Sequence, residues 1–532
     1  MRDTQDFQQT ECRWPYWLKT LLVILLFLGA AAVRLYRIDE APRDFWTIRQ
    51  YYNALTARAL YFQDNPDIPE WRQDLAAQHR IWLAEPPILE YAVSRVYRLL
   101  GEEQFWVFRS LTVTAWLVGG FFLFLLARRM IGFEGALTAA AYYLFTPYGI
   151  TASRSWQPDP LMIMGITATI FFVFHYFEGP SVSRLVVAGL VAAIATLFKP
   201  GGGVLTLLGV FGFLSLYQWG WRRTLLPGPA WLFAALMLVP PAVVVMFSAW
   251  RGWYEPGTHF TTYLVPQLLV TFFFWKGWAG ILLRVLTLPG WMLAMIGCAF
   301  LLPAGKPRAL AWGYAAGYFF FSLICSFTTP NHDYWHLQII PLAAIGIGAL
   351  SEPIWRAVIG AGRFAGLRRT VLVALGSLFI LLSIEHAPWV ADQGSSIDEY
   401  SAMAREIGET VGHSTRVVML DHDFSTPLRY YAEIGGWFWP QTKAMLYDRQ
   451  TGKDRAADGS PQRNTLDLTA EERFELFYSN RKPEFFVISR LLSELDEQPG
   501  LRDFLFVKFP VLAQKGRYIV FDLRAEQEGP TN

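Results

Sequence analysis

Long apolar runs separated by short polar breaks occupy most of the chain, and the pattern changes near residue 391. A helix that crosses hydrocarbon needs about 20 largely apolar residues, and by that measure there are about eleven candidates. They centre near Leu26, Val118, Ala140, Ile166, Val191, Gly209, Leu238, Met292, Phe319, Ile345 and Leu378. The runs around Val191 and Gly209 are split by Lys199-Pro200-Gly201-Gly202-Gly203, which predicts a tight turn between two spans. Residues 264–278 are apolar but carry Pro266 and Gly277 near their ends, the signature of a re-entrant or interfacial piece.

Beyond residue 391 the periodicity is that of a soluble α/β domain. Helices are predicted over 396–411 and 427–434, strands over 416–420, 484–488 and 518–521, and a polar loop over 448–464. This divides the chain into a membrane domain, 1–390, and an outer domain, 391–532, expected to fold as a compact unit and to guide an acceptor. One polar stretch interrupts the membrane domain, 37–104, with helices predicted over 48–62 and 88–100. Both read as amphipathic helices on the membrane surface, with Arg58 of the first and Arg95 and Arg98 of the second touching lipid headgroups.

Basic residues give the orientation. Arg13 and Lys19, Arg128 and Arg129, Arg222 and Arg223, Lys306 and Arg308, and Arg356 through Arg369 share one side if the spans alternate. Short loops rich in Lys and Arg stay in the cytoplasm. The N-terminus is therefore expected inside, and the loops carrying Asp44, Arg154, Lys199 and His332, with the C-terminal domain, outside. The 46 basic residues nearly balance 44 acidic ones, so no global field points to nucleic acid. The cysteines number 3, Cys12, Cys298 and Cys325, too scattered for a disulfide framework or a metal cluster.

The 37–104 stretch is too long and too rich in carboxylates and guanidinium groups to be a mere connection. Asp39, Glu40 and Asp44 lie just past the first span, where a carboxylate can accept a proton from an attacking hydroxyl. Asp44 is the preferred base, with Phe45 and Trp46 to dry its surroundings. Arg49 is a candidate phosphate clamp, because a guanidinium offers paired donors. Other outer loops bring Arg154 and Asp159, Lys199, and Asn331-His332-Asp333-Tyr334-Trp335-His336 to the same side. A cationic pocket facing a carboxylate suits displacement of a phosphate leaving group. His332 and His336 have i, i+4 spacing without the Glu of a zinc protease, so no metal ligand set is assigned and metal dependence stays open.

At these residues the chain resembles the polyprenyl-phosphate-dependent glycosyltransferases of the GT-C fold, in particular bacterial relatives of protein O-mannosyltransferases and of lipid A aminoarabinose transferase. The resemblance runs from about residue 22 to 350. It is carried by Glu85-Pro86-Pro87-Ile88-Leu89-Glu90-Tyr91, Phe108-Arg109-Ser110 with Leu126-Ala127-Arg128-Arg129, Ser153-Arg154 with Pro158-Asp159, Lys199-Pro200 and His332-Asp333-Tyr334-Trp335. It implies a polytopic α-helical GT-C membrane protein with a C-terminal extracytoplasmic α/β domain, in the bacterial inner membrane. The implied activity is inverting transfer of a hexose or pentose from a polyprenyl phosphate, a substrate rather than a cofactor, to an outer glycan, lipid or protein. On this reading Asp44, Asp39, Glu40 and Glu85 are catalytic candidates. Arg49, Arg154, Lys199, His332 and His336 hold the donor phosphate, and Gln50, Tyr334 and Asp159 line the pocket. There is a departure: Arg49-Gln50 stand where members carry an Asp-Glu pair, and Glu85 where they carry a His before Pro-Pro.

A transporter or lipid flippase is the competing class. It predicts inverted halves and ionisable groups at mid-membrane; neither is evident in the sequence.

Overall fold

The computed structural model describes residues 15–63, 65–79, 85–226, 228–251, 263–359, 365–385, 394–451 and 466–525. Cys12, Arg13, the transition at 391 and most of the expected 448–464 loop lie outside the described residues. The chain divides into two compact units, one of Met1–Glu40, Trp82–Ile88 and Phe105–Ala391, the other of Ala41–Ile81, Leu89–Gln104 and Asp392–Asn532. The outer stretch expected within the membrane domain is thus shared between the units, and most of it groups with the C-terminal residues.

The first unit is helical, and every expected span centre falls inside a helix. Among the described residues, seven helices are long and apolar enough to cross a membrane, or up to eight counting one bent pair. This is fewer than the eleven expected. Phe133–Phe145 and Val182–Phe198 are short, and Lys306–Ile324 begins with Lys306 and Arg308. The bent pair is Phe272–Leu286 with Leu288–Leu301, turned by 90°. Thr287 makes the corner with φ of 60°, and its side chain caps the second helix by accepting from Gly290 N. Residues 264–278 cover the short turn Pro266–Val270 and the first part of the helix Phe272–Leu286, and the corner falls beyond them, at Thr287.

Helices Val204–Leu225 and Lys306–Ile324 meet backbone to backbone. A Cβ on Gly209 would lie 2.3 Å from the Gly313 carbonyl oxygen, and one on Gly317 would lie 2.2 Å from that of Leu205. Small residues are what allow such close approach in lipid, where dispersion replaces the hydrophobic effect as the packing force.

In the second unit β1 (Val417–Leu420), β2 (Gly436–Phe438), β3 (Phe485–Ser489), β4 (Val511–Lys515) and β5 (Tyr518–Asp522) form one sheet of order β2-β1-β3-β5-β4. β1 pairs in parallel with β2 and β3, and β5 runs antiparallel to β3 and β4. One face packs Val417, Met419, Phe485 and Val487 on Ala404, Ile407 and Leu428. The other packs Val418, Leu420, Phe486 and Ile488 on Tyr478, Leu501 and Leu505. β2 and β4 went unseen in the sequence because one is only three residues long and the other is an exposed edge without alternation.

The helix Thr47–Phe62 does not present Arg58 to headgroups. Arg58 is buried, with Nε 2.8 Å from Glu103 Oε1 and its guanidinium 3.7 Å from the Tyr430 ring centroid. Tyr51 hydrogen-bonds Tyr431 at 2.9 Å, and Arg72 makes a paired contact with Glu433 at 2.8 and 3.0 Å. The helices at 47–79 and the segment 426–434 are thus held by polar anchors in a shared core.

His79 belongs to this core, fully buried, its Nε2 3.0 Å from the Ile434 carbonyl. Burial, then the charges of Arg58 and Arg429, hold its pKa well below the usual imidazole value. The folded state keeps His79 neutral, while the unfolded chain takes up a proton below about pH 6.5. Its stabilising contribution is therefore present above that pH and lost as pH falls. Hydrogen exchange of peptides spanning 70–79 and 426–434 is expected to accelerate between pH 7.5 and 5.5, after correction for intrinsic exchange, and His79→Met should flatten that slope. An unchanged slope in the variant would remove His79 from the explanation.

Candidate functional site

Residues 151–160 are all buried, although this stretch carries Ser153, Arg154, Ser155, Gln157 and Asp159. Asp159 is the first residue of helix Asp159–Glu178, where the positive end of the helix dipole favours a carboxylate. Lys199 caps the C-terminus of Val182–Phe198, where the negative end favours a cation. The two side chains meet at 2.7 Å with exposures of 3% and 0% for Lys199 and Asp159. Positive φ at Gly201 (86°) and Gly203 (76°) turns the chain sharply after the lysine. The Lys199 ammonium lies 4.6 Å from the ring centroids of both Tyr334 and Trp335, a cation–π arrangement on two sides.

A second polar chain runs beside Tyr334. Asp333 accepts from Arg284 Nη1 at 3.1 Å and from the Tyr148 hydroxyl. Burial, then the Asp333 charge, raises the Tyr148 pKa well above the phenol range, so this hydroxyl stays protonated and donates. The Arg284 side chain is 68% exposed and keeps donors free of Asp333 for an anion. His332 contacts Asn331 Oδ1 and stands edge-on to Tyr334. His336 is fully buried, with Nδ1 2.5 Å from Tyr318 Oη and Nε2 3.0 Å from the Thr329 carbonyl. With both ring nitrogens engaged, it anchors the 329–338 segment instead of offering a donor to phosphate.

Arg154 is also buried, and its Nη2 donates to the Arg37 carbonyl at 3.0 Å. Arg109 Nη2 donates to the Glu40 carbonyl at 3.1 Å, and Glu40 pairs with Arg37 at 3.1 Å. The turn carrying Asp39 and Glu40 is thereby gripped by two guanidinium groups. Arg34, inside the first helix, donates to Ser153 Oγ at 2.7 Å and to the carbonyls of Leu144 and Ala30. Asp39 is exposed and Glu85 half-buried. The side-chain amide of Gln157 is fully buried, and neither of its polar atoms has a hydrogen-bond partner among the described residues. An unsatisfied buried amide costs about 1 to 3 kcal/mol, which a bound polar group would recover.

Asp44, Arg49 and Gln50 belong to the second unit. Gln50 is fully buried and donates to Asp44 Oδ1 at 3.3 Å and to the Phe45 carbonyl at 2.5 Å. Its amide is thus directed at the Asp44 carboxylate. Trp46, with φ of 42°, makes the turn into the helix that holds Arg49 and Gln50. Of the expected site residues, Asp159, Lys199 and Tyr334 come together in one unit, and Asp44 and Gln50 in the other. Sequence reasoning missed Tyr148, Arg284 and Gln157 as site residues. Tyr148 meets Asp333 across a wide sequence separation, and no local spacing marks such a pair.

The fold is that of known transferases. Residues 84–250 match the family described as dolichyl-phosphate-mannose-protein mannosyltransferase. The chain is similar to ArnT from Cupriavidus metallidurans bound to undecaprenyl phosphate, with a TM-score of 0.58 at 16% identity over 94% of this chain and 98% of that one. It is also similar to the archaeal oligosaccharyltransferase AglB from Archaeoglobus fulgidus in complex with an inhibitory peptide and a dolichol-phosphate, with a TM-score of 0.57 at 11% identity over 94% and 74% of the two chains. No curated protein matches it by sequence. The chain thus has the GT-C fold, and its residues 84–250 resemble the dolichyl-phosphate-mannose-protein mannosyltransferase family. One AglB structure is a complex with zinc and sulfate. Among the described residues of this chain, no three His, Cys, Asp or Glu side chains gather to hold a metal, so no step is derived through one.

The Lys199–Asp159 pair separates stability from function. Breaking a buried pair from one side costs about 3 to 5 kcal/mol, while replacing both partners by apolar groups is often neutral. Lys199→Met and Asp159→Leu are each expected to lower the melting temperature in detergent clearly, and the double variant to recover most of the loss while staying inactive. Full activity in a stable double variant would make the pair purely architectural.

Proposed function

We propose that this protein is a membrane glycosyltransferase that moves a hexose or pentose from a polyprenyl-phosphate donor to an acceptor outside the cytoplasm, with inversion at the anomeric carbon. The observation that carries the reading is that the segment matching the mannosyltransferase family contains Arg154, Asp159 and Lys199, three buried charged groups in an otherwise largely apolar helical unit. The undecaprenyl phosphate of the ArnT structure and the dolichol-phosphate of the AglB structure are the donor chemistry that this set suits.

On this reading Asp44, oriented by Gln50, takes the proton of an acceptor hydroxyl. The hydroxyl oxygen attacks the anomeric carbon from the face opposite the phosphate, a new C–O bond forms, and the bond to phosphate breaks. The electron pair leaves with polyprenyl phosphate, whose charge Arg154, Lys199, Arg284 and His332 of the first unit stabilise. Asp39, Glu40 and Glu85 remain alternative bases.

Two measurements test this. Cells lacking the protein should accumulate one polyprenyl-phosphate-linked sugar and lose one surface glycan modification, both by mass spectrometry; no change in either would sink the proposal. With purified protein, Asp44→Asn should abolish transfer and leave donor affinity near normal, whereas Arg154→Ala should weaken donor binding about ten- to a hundredfold, the worth of one charge-assisted hydrogen bond. If Asp44→Asn, Asp39→Asn, Glu40→Gln and Glu85→Gln all transfer normally, the base lies elsewhere.

The topology is tested separately. In a background with Cys12, Cys298 and Cys325 replaced by Ser, cysteines at the exposed positions Asp67 and Lys482 should react with an impermeant thiol reagent in spheroplasts, and one at Arg222 should not. Labelling of Arg222→Cys, or protection of either of the others, overturns the orientation.

A further inference from the structure

The sheet of the second unit has an edge that the proposed reaction does not use. Its order places β1 between β2 and β3, all three parallel. The chain leaves β1 for β2 on one side and returns from β2 to β3 on the other, so the carboxyl ends of β1 and β3 form a topological switch point, the place where open α/β sheets leave a crevice for ligands. Asp421 follows β1 there and Arg490 follows β3. Arg490 grips the buried Asp421 carboxylate with two bonds of 2.9 and 3.0 Å, and the Tyr400 hydroxyl donates to the same carboxylate at 2.7 Å. The Arg490 guanidinium also lies 3.9 Å from the Tyr400 ring centroid. These groups build a rigid base.

Above that base the backbone is forced. Asp423, Phe424 and Ser425 have φ of 53°, 52° and 60°, three consecutive non-glycine residues in the left-handed region, and Arg490 has φ of 60°. Runs of such residues persist where the surroundings impose them. The result is that His422 and Phe424 point outward, Phe424 being 43% exposed, and Phe438 at the end of β2 is 44% exposed. Their rings pack edge to face, 5.2 Å between centroids at 83°. Asp423 lies between His422 and Phe424 in the chain, and the charges of Arg490 and Arg43 act on it. The buried hydroxyl of Ser489, last in β3, has no hydrogen-bond partner among the described residues.

We infer that this edge binds a carbohydrate, with the Phe424 and Phe438 rings as a platform for the apolar face of a sugar ring and Asp423 and His422 as hydrogen-bonding groups for its hydroxyls. An apolar face beside acceptors and donors is the chemistry that recognises a pyranose. Under the proposed transferase function, on which this assignment rests for its role, the sugar is part of the acceptor.

Saturation-transfer NMR on the whole protein in nanodiscs, with the methyl glycosides of mannose, galactose, glucose and N-acetylglucosamine as probes, reads the site without any transfer reaction. At least one glycoside should show saturation of its ring protons. The effect should fall about five- to tenfold in Phe424→Ala/Phe438→Ala, the worth of one aromatic contact or somewhat more. His422→Ala, at an exposed position, is the second variant and should weaken the same signal. No saturation with any glycoside, or equal saturation in both variants, overturns the inference. So does an aromatic pair whose loss instead weakens binding to phosphatidylglycerol vesicles, since that would make it a membrane anchor. Donor hydrolysis in water should be unchanged in both variants. If hydrolysis is absent in wild type while glycoside binding persists, the transferase reading fails and the carbohydrate site stands.

Discussion

A lysine and an aspartate are sealed together at 2.7 Å inside a unit that is otherwise built to face lipid, and much of the helical architecture makes sense as the means of holding them. Neither charge is tolerable there alone, since the penalty for desolvating an ion amounts to several kcal/mol even after relaxation. The pair is stabilised by the ends of two helices whose dipoles face it with the right signs, by a glycine turn that bends the backbone behind the lysine, and by two aromatic rings against the ammonium. Around it Arg34 donates to two carbonyls and to the Ser153 hydroxyl, and Arg154 donates to the Arg37 carbonyl, so the loop from Ser153 to Asp159 is held from several directions. A fold that maintains this many desolvated polar groups is preorganised. A charged headgroup arriving there meets dipoles already in place, with little reorganisation left to perform.

How much of this was legible in the sequence depends on the range of the interaction. The turn at Lys199-Pro200-Gly201-Gly202-Gly203, the helix Ile88–Leu100 and the strands β1, β3 and β5 were readable because each is written in a local period or a breaker cluster. The span count was not, because the apolar content around Ala140 and Met292 is the same whether a helix runs straight through a bilayer or stops after Phe145 or bends at Thr287. Composition reports solubility in lipid, and the corner is set by one residue's φ. In the same way Lys199, Asp159 and Tyr334 were identifiable as polar groups at span ends. That Lys199 pairs with Asp159, that His336 turns inward to Tyr318 and Thr329, and that Tyr148 serves Asp333 are facts of tertiary contact that no spacing encodes.

The outer stretch shows the limit most clearly. Arg58 on a helix with Ala54, Leu55 and Leu60 reads as a basic residue of a surface helix, and a surface helix of a membrane protein reads as lying on headgroups. What the sequence lacks is any sign that Glu103 and the Tyr430 ring will enclose it. Once they do, the helix has no wet polar face to offer: Gln50, Asn53, Thr56 and Arg58 are all buried. Amphipathicity is a statement about which residues differ from their neighbours, and burial of the polar ones is permitted whenever partners are supplied from elsewhere.

This changes what the C-terminal residues are for. If they formed an independent module, removing them would take away an acceptor guide and leave the rest intact. But Arg58, Tyr51, Arg72 and His79 find Tyr430, Tyr431, Glu433 and Ile434 as partners. Without those residues a buried guanidinium keeps only Glu103, a neutral histidine loses the carbonyl it donates to, and the apolar side chains of the helix Thr47–Phe62 lose part of their cover. The helix that begins one turn after Asp44 and carries Gln50, the residue that orients the Asp44 carboxylate, is then no longer stabilised in place. The position of the candidate base is thereby a property of the assembled second unit. A carboxylate acting as general base must be held within hydrogen-bond reach of its proton, so a loss of order in this helix acts directly on the chemical step. The C-terminal segment belongs to the structure of the proposed active site, whatever it also binds.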